Sequence, residues 1–496
     1  MKLANKLYIS KQEWRKFPLN IKQQLKFEYI RDIVNPKICI LQIRGDHCQA
    51  IKNHGKEVCL TCPEATIRVQ LLKKTLKGNY TIERGDLGFL RDIFKGKEIK
   101  DITVYPKLKS NINFQWSKLS NQEKVKGQKQ VVKDWLKVGY GTIQAPPRSG
   151  KTVIAVAIAT RLKTKVVVVT HQIELLKQFY DTFIQFTDID KSKLKVNPSK
   201  EQFKQLDICL FTYRQFISPK RKAYLKEVSK CFGLLIVDEV HRCPAKAFSQ
   251  VINQFHARYR LSLSATPTRK DGMHYKSERI MGPVTVWGMS EQLACIVKIV
   301  DTEFNIPDFK MWNTLINALY KNNKRNKLII SYLEKDLKAG HRIVVPTDRV
   351  AHVLELNTLC QTFVKKGYVV DFVTGKTPKK QRERIIQDAK QGKSHILIAI
   401  RQIVYLGLNI PPYSMIYSII PIANKENIYQ EVSRVRTPHE GKKEPEVRYF
   451  LDRSAYSEAA IACFKIAKNV YKELDFKFDY RKPDNKDSQK DPRIFM

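Results

Sequence analysis

No stretch of this chain is long and apolar enough to cross a bilayer. The most apolar one, Tyr413 to Ala423, falls well short of the roughly 20 residues a membrane helix needs, and the N-terminal region lacks the apolar segment of a secretory signal. These absences predict a cytoplasmic protein, in the host cytoplasm if it is phage-encoded. Acidic residues are also scarce: 48 Asp and Glu stand against 90 Lys and Arg, an excess of 42 positive charges spread along the whole sequence rather than gathered in one tail. A surface charged only for solubility mixes both signs, so the imbalance implies a polyanionic partner, nucleic acid before any other. Cysteine is too sparse for a disulfide scaffold, with 10 in 496 residues. Four of them cluster: Cys39, Cys48, Cys59 and Cys62, with His47 and His54 between them. A structural Zn2+ could use Cys59 and Cys62 with two of Cys48, His54, His47 or Cys39; small buried thiols are the alternative.

What the chain does have is a phosphate-binding pattern. The apolar stretch Gly141 to Gln144 runs into Ala145-Pro146-Pro147-Arg148-Ser149-Gly150-Lys151-Thr152, and the helix-forming run Val153 to Ala159 follows. A turn from strand to helix leaves backbone N–H groups unpaired at the positive end of the helix, where phosphate oxygens bind. Gly150 allows close approach of the backbone, Lys151 adds a mobile charge, and the Thr152 hydroxyl can ligate Mg2+. Ala145 takes the first place of the pattern, where glycine is general. Downstream, the apolar run Gly233 to Val237 ends in Asp238-Glu239-Val240-His241, two carboxylates at a strand end. Asp238 suits a hydrated Mg2+, and Glu239 is placed to polarise an attacking water. A further run, Tyr259 to Leu263, leads to Ser264-Ala265-Thr266-Pro267. The second Gly-Lys-Thr, at Gly375 to Thr377, lacks this company and reads as a loop opening a helix around Gln381 to Lys390.

Taken together these elements resemble motifs I, II and III of superfamily 2 helicases, in the DExH branch with DEVH in the box. The resemblance extends over residues 115 to 470. Gln128 sits ahead of the loop where similar helicases use a glutamine to read the adenine edge. Thr170 and Gln178 resemble motif Ia, and Thr212-Tyr213 a Thr-aromatic element that touches the nucleic-acid backbone without reading sequence. Leu406-Gly407-Leu408-Asn409-Ile410-Pro411 resembles motif V, with Asn409 where Asp is frequent and Ala399-Ile400-Arg401 where a hydroxyl residue is usual. Gln430-Glu431-Val432-Ser433-Arg434-Val435-Arg436 resembles motif VI, with Ser433 for the usual glycine and the last arginine one residue early. Either Arg434 or Arg436 could then reach the γ-phosphate. His241, Ser264, Thr266 and Gln430 are candidates for coupling hydrolysis to movement.

The fold implied is α/β: two RecA-like parallel-sheet motor domains at 115–290 and 327–475, joined by a connector at 291–326. An accessory DNA-recognition domain at 1–114 precedes them and a charged tail at 476–496 follows. In the accessory region the pattern predicts a helix near Lys11 to Val34 and strands at Ile38 to Arg44 and Thr66 to Leu72, with arginines such as Arg84 available to phosphate. The overall layout is similar to phage UvsW-like branch-migration helicases. The expected function is therefore ATP-dependent remodelling of branched DNA, with a DExH RNA helicase or a non-motor nucleotide switch as alternatives. No nuclease or other second catalytic set is recognisable, which argues against a complete restriction enzyme and leaves open the motor subunit of one.

Overall fold

Five consecutive buried residues, Val166–Thr170, make a strand whose alternate side chains enter two different cores. Val166 and Val168 pack with Ile154, Ile158 and Phe179, whereas Val167 and Val169 pack with Leu225, Phe248 and Ile252. A strand apolar on both faces must lie between two helical layers, as in a parallel α/β sheet. In this computed structural model it is the third strand of a seven-stranded sheet. The order is Leu194–Val196, Ile208–Thr212, Val166–Thr170, Leu234–Asp238, Tyr259–Ser264, Tyr140–Gln144 and Val284–Trp287, with every pairing parallel. The described residues are 1–3, 6–23, 30–34, 66–70, 72–77, 79–88, 99–108, 111–119, 121–218, 221–243, 245–268, 274–288, 293–302, 304, 312–405, 410–452 and 458–479.

The chain divides into two units, Met1–Ser290 and Glu291–Met496. The second holds its own seven-stranded parallel sheet, in the order Val370–Val373, Ile396–Ile400, Ile343–Thr347, Met415–Ser418, Glu446–Leu451, Ile296–Asp301 and Lys477–Asp479. Its faces are covered in the same alternating way. Ile343, Val345, Ile396 and Ile398 meet Ile329 and Leu333, while Val344, Leu397 and Ala399 meet Ile385, Val432 and Phe464. Two stretches expected outside this domain belong to it. Ile296–Asp301, placed in a connector by its mixed pattern, is an inner strand, and the tail begins with the buried Phe476 and an edge strand. Gly375 to Thr377 form the turn before the helix Lys379–Lys390, as their setting predicts.

The N-terminal region forms a mixed five-stranded sheet, ordered Leu72–Lys74, Tyr80–Glu83, Lys6–Ile9, Lys2–Leu3, Lys100–Asp101, over a small core of Leu7, Ile9, Trp14, Phe17, Tyr80 and Ile82. The single helix expected from Lys11 to Val34 is instead two short helices, Lys11–Arg15 and Leu19–Gln23, followed by the strand Ile30–Val34. Pro18 separates the helices, because it disfavours helical backbone in the residue before it. The strand expected at Ile38 to Arg44 lies outside the described residues, as do Cys39, Cys48, Cys59, Cys62, His47 and His54.

This sheet is bolted to the first motor sheet by the turn Arg84–Gly85–Asp86. The Arg84 guanidinium, a candidate phosphate contact or solvated surface residue by sequence, instead donates to the carbonyls of Ala257 and Arg258. Asp86, fully buried, accepts from Arg279 Nε at 2.7 Å. A Cβ on Gly85 would come within 1.9 Å of the Glu278 carbonyl oxygen, so only glycine allows this approach. Glu83 completes the joint by accepting from Lys6 at 2.7 Å and Asn253 at 3.1 Å. From Val104, which bridges to Ala257, the chain already runs along the motor domain, ahead of the boundary expected at 114.

Removing one partner of a buried ion pair leaves an uncompensated charge and costs about 3–5 kcal/mol. Asp86→Ala should therefore lower the stability of the first unit by that amount in urea unfolding followed by tryptophan fluorescence; an unchanged midpoint would mean the joint contributes nothing.

Candidate active site

Register brings three strand ends level in the first unit. Tyr259–Ser264 is the middle strand: Leu263 lies opposite Asp238 on one side, and Ser264 lies opposite Gln144 on the other. In an open parallel sheet the crevice at the carboxyl ends of the strands is where ligands bind. The loop leaving Gln144 begins with the buried Ala145, whose N–H donates to the Ser264 carbonyl at 3.0 Å. Arg148 and Gly150 then take left-handed backbone, with φ of 67° and 85°. At Gly150 a Cβ would sit 2.2 Å from Gln128 Nε2, so the position admits no side chain.

Gly150 starts the helix Lys151–Leu162 without a side-chain cap, and no acidic residue stands in the first turn. The positive end of a helix favours an anion. Lys151 Nζ folds back over its own loop, donating to the carbonyls of Ala145 at 3.0 Å and Pro146 at 3.2 Å. Buried Gln128 braces the loop from beneath: its Nε2 donates to the Ser149 carbonyl at 2.9 Å, and its Oε1 is buried with no hydrogen-bond partner among the described residues.

The strand carrying Asp238 is broken at Glu239, which has φ 52° and ψ 53°, left-handed values uncommon outside glycine. Such a conformation persists only where its surroundings hold it, and it recurs at functional sites. Burial and the neighbouring Glu239 charge push the Asp238 carboxyl up. Burial acts on Glu239 in the same sense, but the His241 imidazole beside it and the Lys151 charge outweigh it and lower the Glu239 carboxyl. The two adjacent carboxyls therefore differ in their hold on a proton, as acid–base sites require.

His241 joins this pair to the next strand. Its Nδ1 lies 3.1 Å from Glu239 Oε2 and 3.3 Å from Ser264 Oγ, and Ser264 Oγ accepts from the Thr266 N–H at 3.1 Å. Because the Ser264 carbonyl also receives Ala145 N–H, a continuous set of contacts runs from the Ala145–Thr152 loop to Glu239 and His241 and on to Thr266. This arrangement can hold a triphosphate, a divalent cation and a polarised water on one edge. Thr152 and Asp238 have the oxygen chemistry of Mg2+ ligands, and the uncapped helix start fits phosphate.

The backbone-gripping candidates differ from one another. The Thr170 side chain is fully buried and its hydroxyl donates to the Gln172 carbonyl at 2.8 Å, so it offers no exposed hydroxyl. Thr212 is half-buried with its N–H on Asn197 Oδ1 at 3.1 Å, Tyr213 stacks on Phe248 at 4.9 Å, and Gln178 is half-buried on the helix Ile173–Phe186. His171, beside Thr170, carries no sequence signal of its own; burial and the Arg242 charge push its imidazole down to about 4, and Glu239 pulls the other way.

In the second unit the helix Lys425–Val432 ends before either motif VI arginine. Neither arginine is therefore oriented by regular helical geometry, and their partners set them apart. Arg436 lies over the Phe476 ring at 4.7 Å, and its Nε donates to the Leu293 carbonyl at 2.9 Å, which commits its guanidinium to packing within this unit. Arg434 Nη2 donates to the Tyr405 carbonyl at 2.9 Å. Gln430, half-buried, accepts the Ser433 hydroxyl on its carbonyl at 2.9 Å. Gly407 and Asn409 lie outside the described residues.

Comparison with known proteins bears on both units. Residues 122–269 match the family described as the res subunit of type III restriction enzymes, and residues 323–437 match the helicase conserved C-terminal domain. The chain carries the two motor domains of a superfamily 2 helicase. A DNA 3'-5' translocase of Sulfurisphaera tokodaii is 24% identical over 350 residues, which is 62% of this helicase and 77% of that protein. A probable helicase of Escherichia phage T5 is 27% identical over 230 residues, covering 45% of this chain and about half, 49%, of that one. Among solved structures, Mss116p bound to single-stranded RNA and AMP-PNP superposes with a TM-score of 0.52 at 14% identity over 77% of this chain and 82% of that one, a likeness of fold.

Helicases of this kind use ATP and Mg2+, and the loop, Asp238 and Glu239 are where this one has the groups for them. Lys151→Ala removes a phosphate contact on a half-exposed loop and should abolish ATP hydrolysis while leaving a folded protein that still binds nucleic acid. Glu239→Gln should retain ATP binding and lose turnover. Steady-state ATPase assays with nucleic acid present check both, and near-parental rates in either would show the site to be elsewhere.

Proposed function

We propose that this helicase is an ATP-driven translocase that remodels branched DNA, by branch migration or fork regression, in replication, recombination or repair. The observation that carries this reading is the joint at Arg84, Gly85 and Asp86, which makes the N-terminal sheet a rigid extension of the first motor sheet. A rigidly attached sheet beside a motor that tracks one strand can engage a second duplex arm and move with the motor. The excess of 42 positive charges supports a phosphate-backbone track, and the similar S. tokodaii protein is named a DNA translocase.

In the proposed cycle Lys151 leaves the Ala145 and Pro146 carbonyls for the outer phosphates, and Gln128 keeps the loop in shape. Thr152 and Asp238 hold Mg2+, which when bound neutralises phosphate charge during transfer. Glu239, kept ionised by His241, polarises the attacking water. Arg434 is the finger, since Arg436 is held by Leu293 and Phe476. His241, Ser264 and Thr266 relay the state of the site toward the backbone-gripping elements at Thr212, Tyr213 and Gln178.

The test compares stimulation of ATP turnover by single-stranded DNA, a four-way DNA junction and RNA of matched length. The junction should stimulate most and be converted to unwound products. Greater stimulation by RNA would favour the RNA-helicase reading, and equal stimulation by all three would remove the branched-DNA assignment.

A further inference from the structure

In the second unit Arg401 is the first residue of the helix Arg401–Tyr405 and is 7% exposed. Its guanidinium meets oxygens from three elements, two as hydrogen-bond acceptors and one as an ion-pair partner. Asp348 Oδ2 lies 3.1 Å from Nη1, just past the strand Ile343–Thr347; Glu431 Oε2, on the helix Lys425–Val432, lies 3.2 Å from Nε; and Nη2 donates to the Ile420 carbonyl at 2.9 Å. Glu431 is 2% exposed, and burial pushes its carboxyl up to about 7 against the opposing pull of Arg401.

The same helix reaches Arg434 at its other end. The Tyr405 hydroxyl donates to Glu431 Oε2 at 3.3 Å, and the Tyr405 carbonyl accepts Arg434 Nη2 at 2.9 Å. The Arg434 N–H, in turn, donates to the Glu431 carbonyl at 3.1 Å. These contacts close a ring: Arg401 to the Glu431 side chain, Glu431 backbone to Arg434, Arg434 side chain to Tyr405, and Tyr405 back along one helical turn to Arg401. Two of these links touch Arg434 itself: Glu431 holds its backbone and Tyr405 its guanidinium.

We infer that Arg401 is a positioning residue for ATP hydrolysis, holding Glu431 and Tyr405 so that the Arg434 guanidinium is presented in one orientation. The inference rests on the proposed role of Arg434 as the finger. Both ends of the Arg401 helix converge on Glu431, the residue that precedes Arg434 by one turn, and a group misplaced by about 1 Å can lose 10²-fold in rate.

The experiment measures kcat and KM for ATP, with nucleic acid saturating, for Arg401→Gln, Tyr405→Phe and Arg434→Ala and for the double variant Arg401→Gln/Arg434→Ala, alongside thermal melting. Arg434→Ala comes first: parental turnover there would overturn the finger reading itself. If Arg434→Ala loses turnover, Arg401→Gln should lower kcat by about 10²-fold with KM within about twofold, and the double variant should be no slower than Arg434→Ala alone. Tyr405→Phe, which removes only a hydroxyl, should lower kcat in the same direction and serves if Arg401→Gln does not fold. A parental kcat in Arg401→Gln or Tyr405→Phe, or an additive loss in the double variant, would overturn the positioning role.

Discussion

Parallel pairing in register is the constraint on which the site depends. Asp238, Ser264 and Gln144 come from sequence positions far apart, yet pairing of Leu234–Asp238 with Tyr259–Ser264, and of that strand with Tyr140–Gln144, ends all three strands on one edge. A slip of one residue would turn each strand's side chains into the opposite core, where they do not match the helices packed there, and would carry the strand end off this edge. The two-sided core that fixes the register therefore also fixes the distance from the phosphate loop to the DEVH carboxylates. The Ala145–Ser264 hydrogen bond and the Glu239–His241–Ser264 contacts are formed across that edge and have no counterpart in local sequence.

Strand positions in both motor domains were legible because a strand covered on both faces must be apolar almost throughout. Val166–Thr170 and Leu234–Asp238 stand out for that reason, and their ends carry the chemistry. The loop was legible through residue types with few other uses in that order: a glycine that a side chain would drive into Gln128, then lysine and threonine at a helix start. Lys151 resting on its own loop carbonyls is a property of the folded loop, and nothing in the sequence announces it.

Other parts depend on distant partners. Ile296–Asp301 has a mixed pattern with Pro283 and Pro307 on either side, and becomes a strand only by lying between Glu446–Leu451 and Lys477–Asp479. Arg434 and Arg436 are two residues apart and chemically alike. What separates them is Leu293, 143 residues before Arg436, with Phe476, and on the other side Tyr405, 29 residues before Arg434. Arg401 is apparent in the sequence only as a missing hydroxyl, and its meaning comes from Asp348 and Glu431 meeting it in space. Thr170, an expected phosphate contact, turned out to be buried because the strand end closes over its hydroxyl.

The central claim is that one nucleotide site, at the edge formed by Lys151, Thr152, Asp238 and Glu239, powers this helicase, and that the second Gly-Lys-Thr at Gly375 to Thr377 is an ordinary turn, with the Thr377 hydroxyl already accepting the Thr374 N–H at 2.9 Å. The most direct measurement is calorimetric titration of the whole chain with a non-hydrolysable ATP analogue, with and without Mg2+. The account predicts one analogue bound per chain and much weaker binding once Mg2+ is removed. Two equivalents bound per chain, or affinity indifferent to Mg2+, would contradict it.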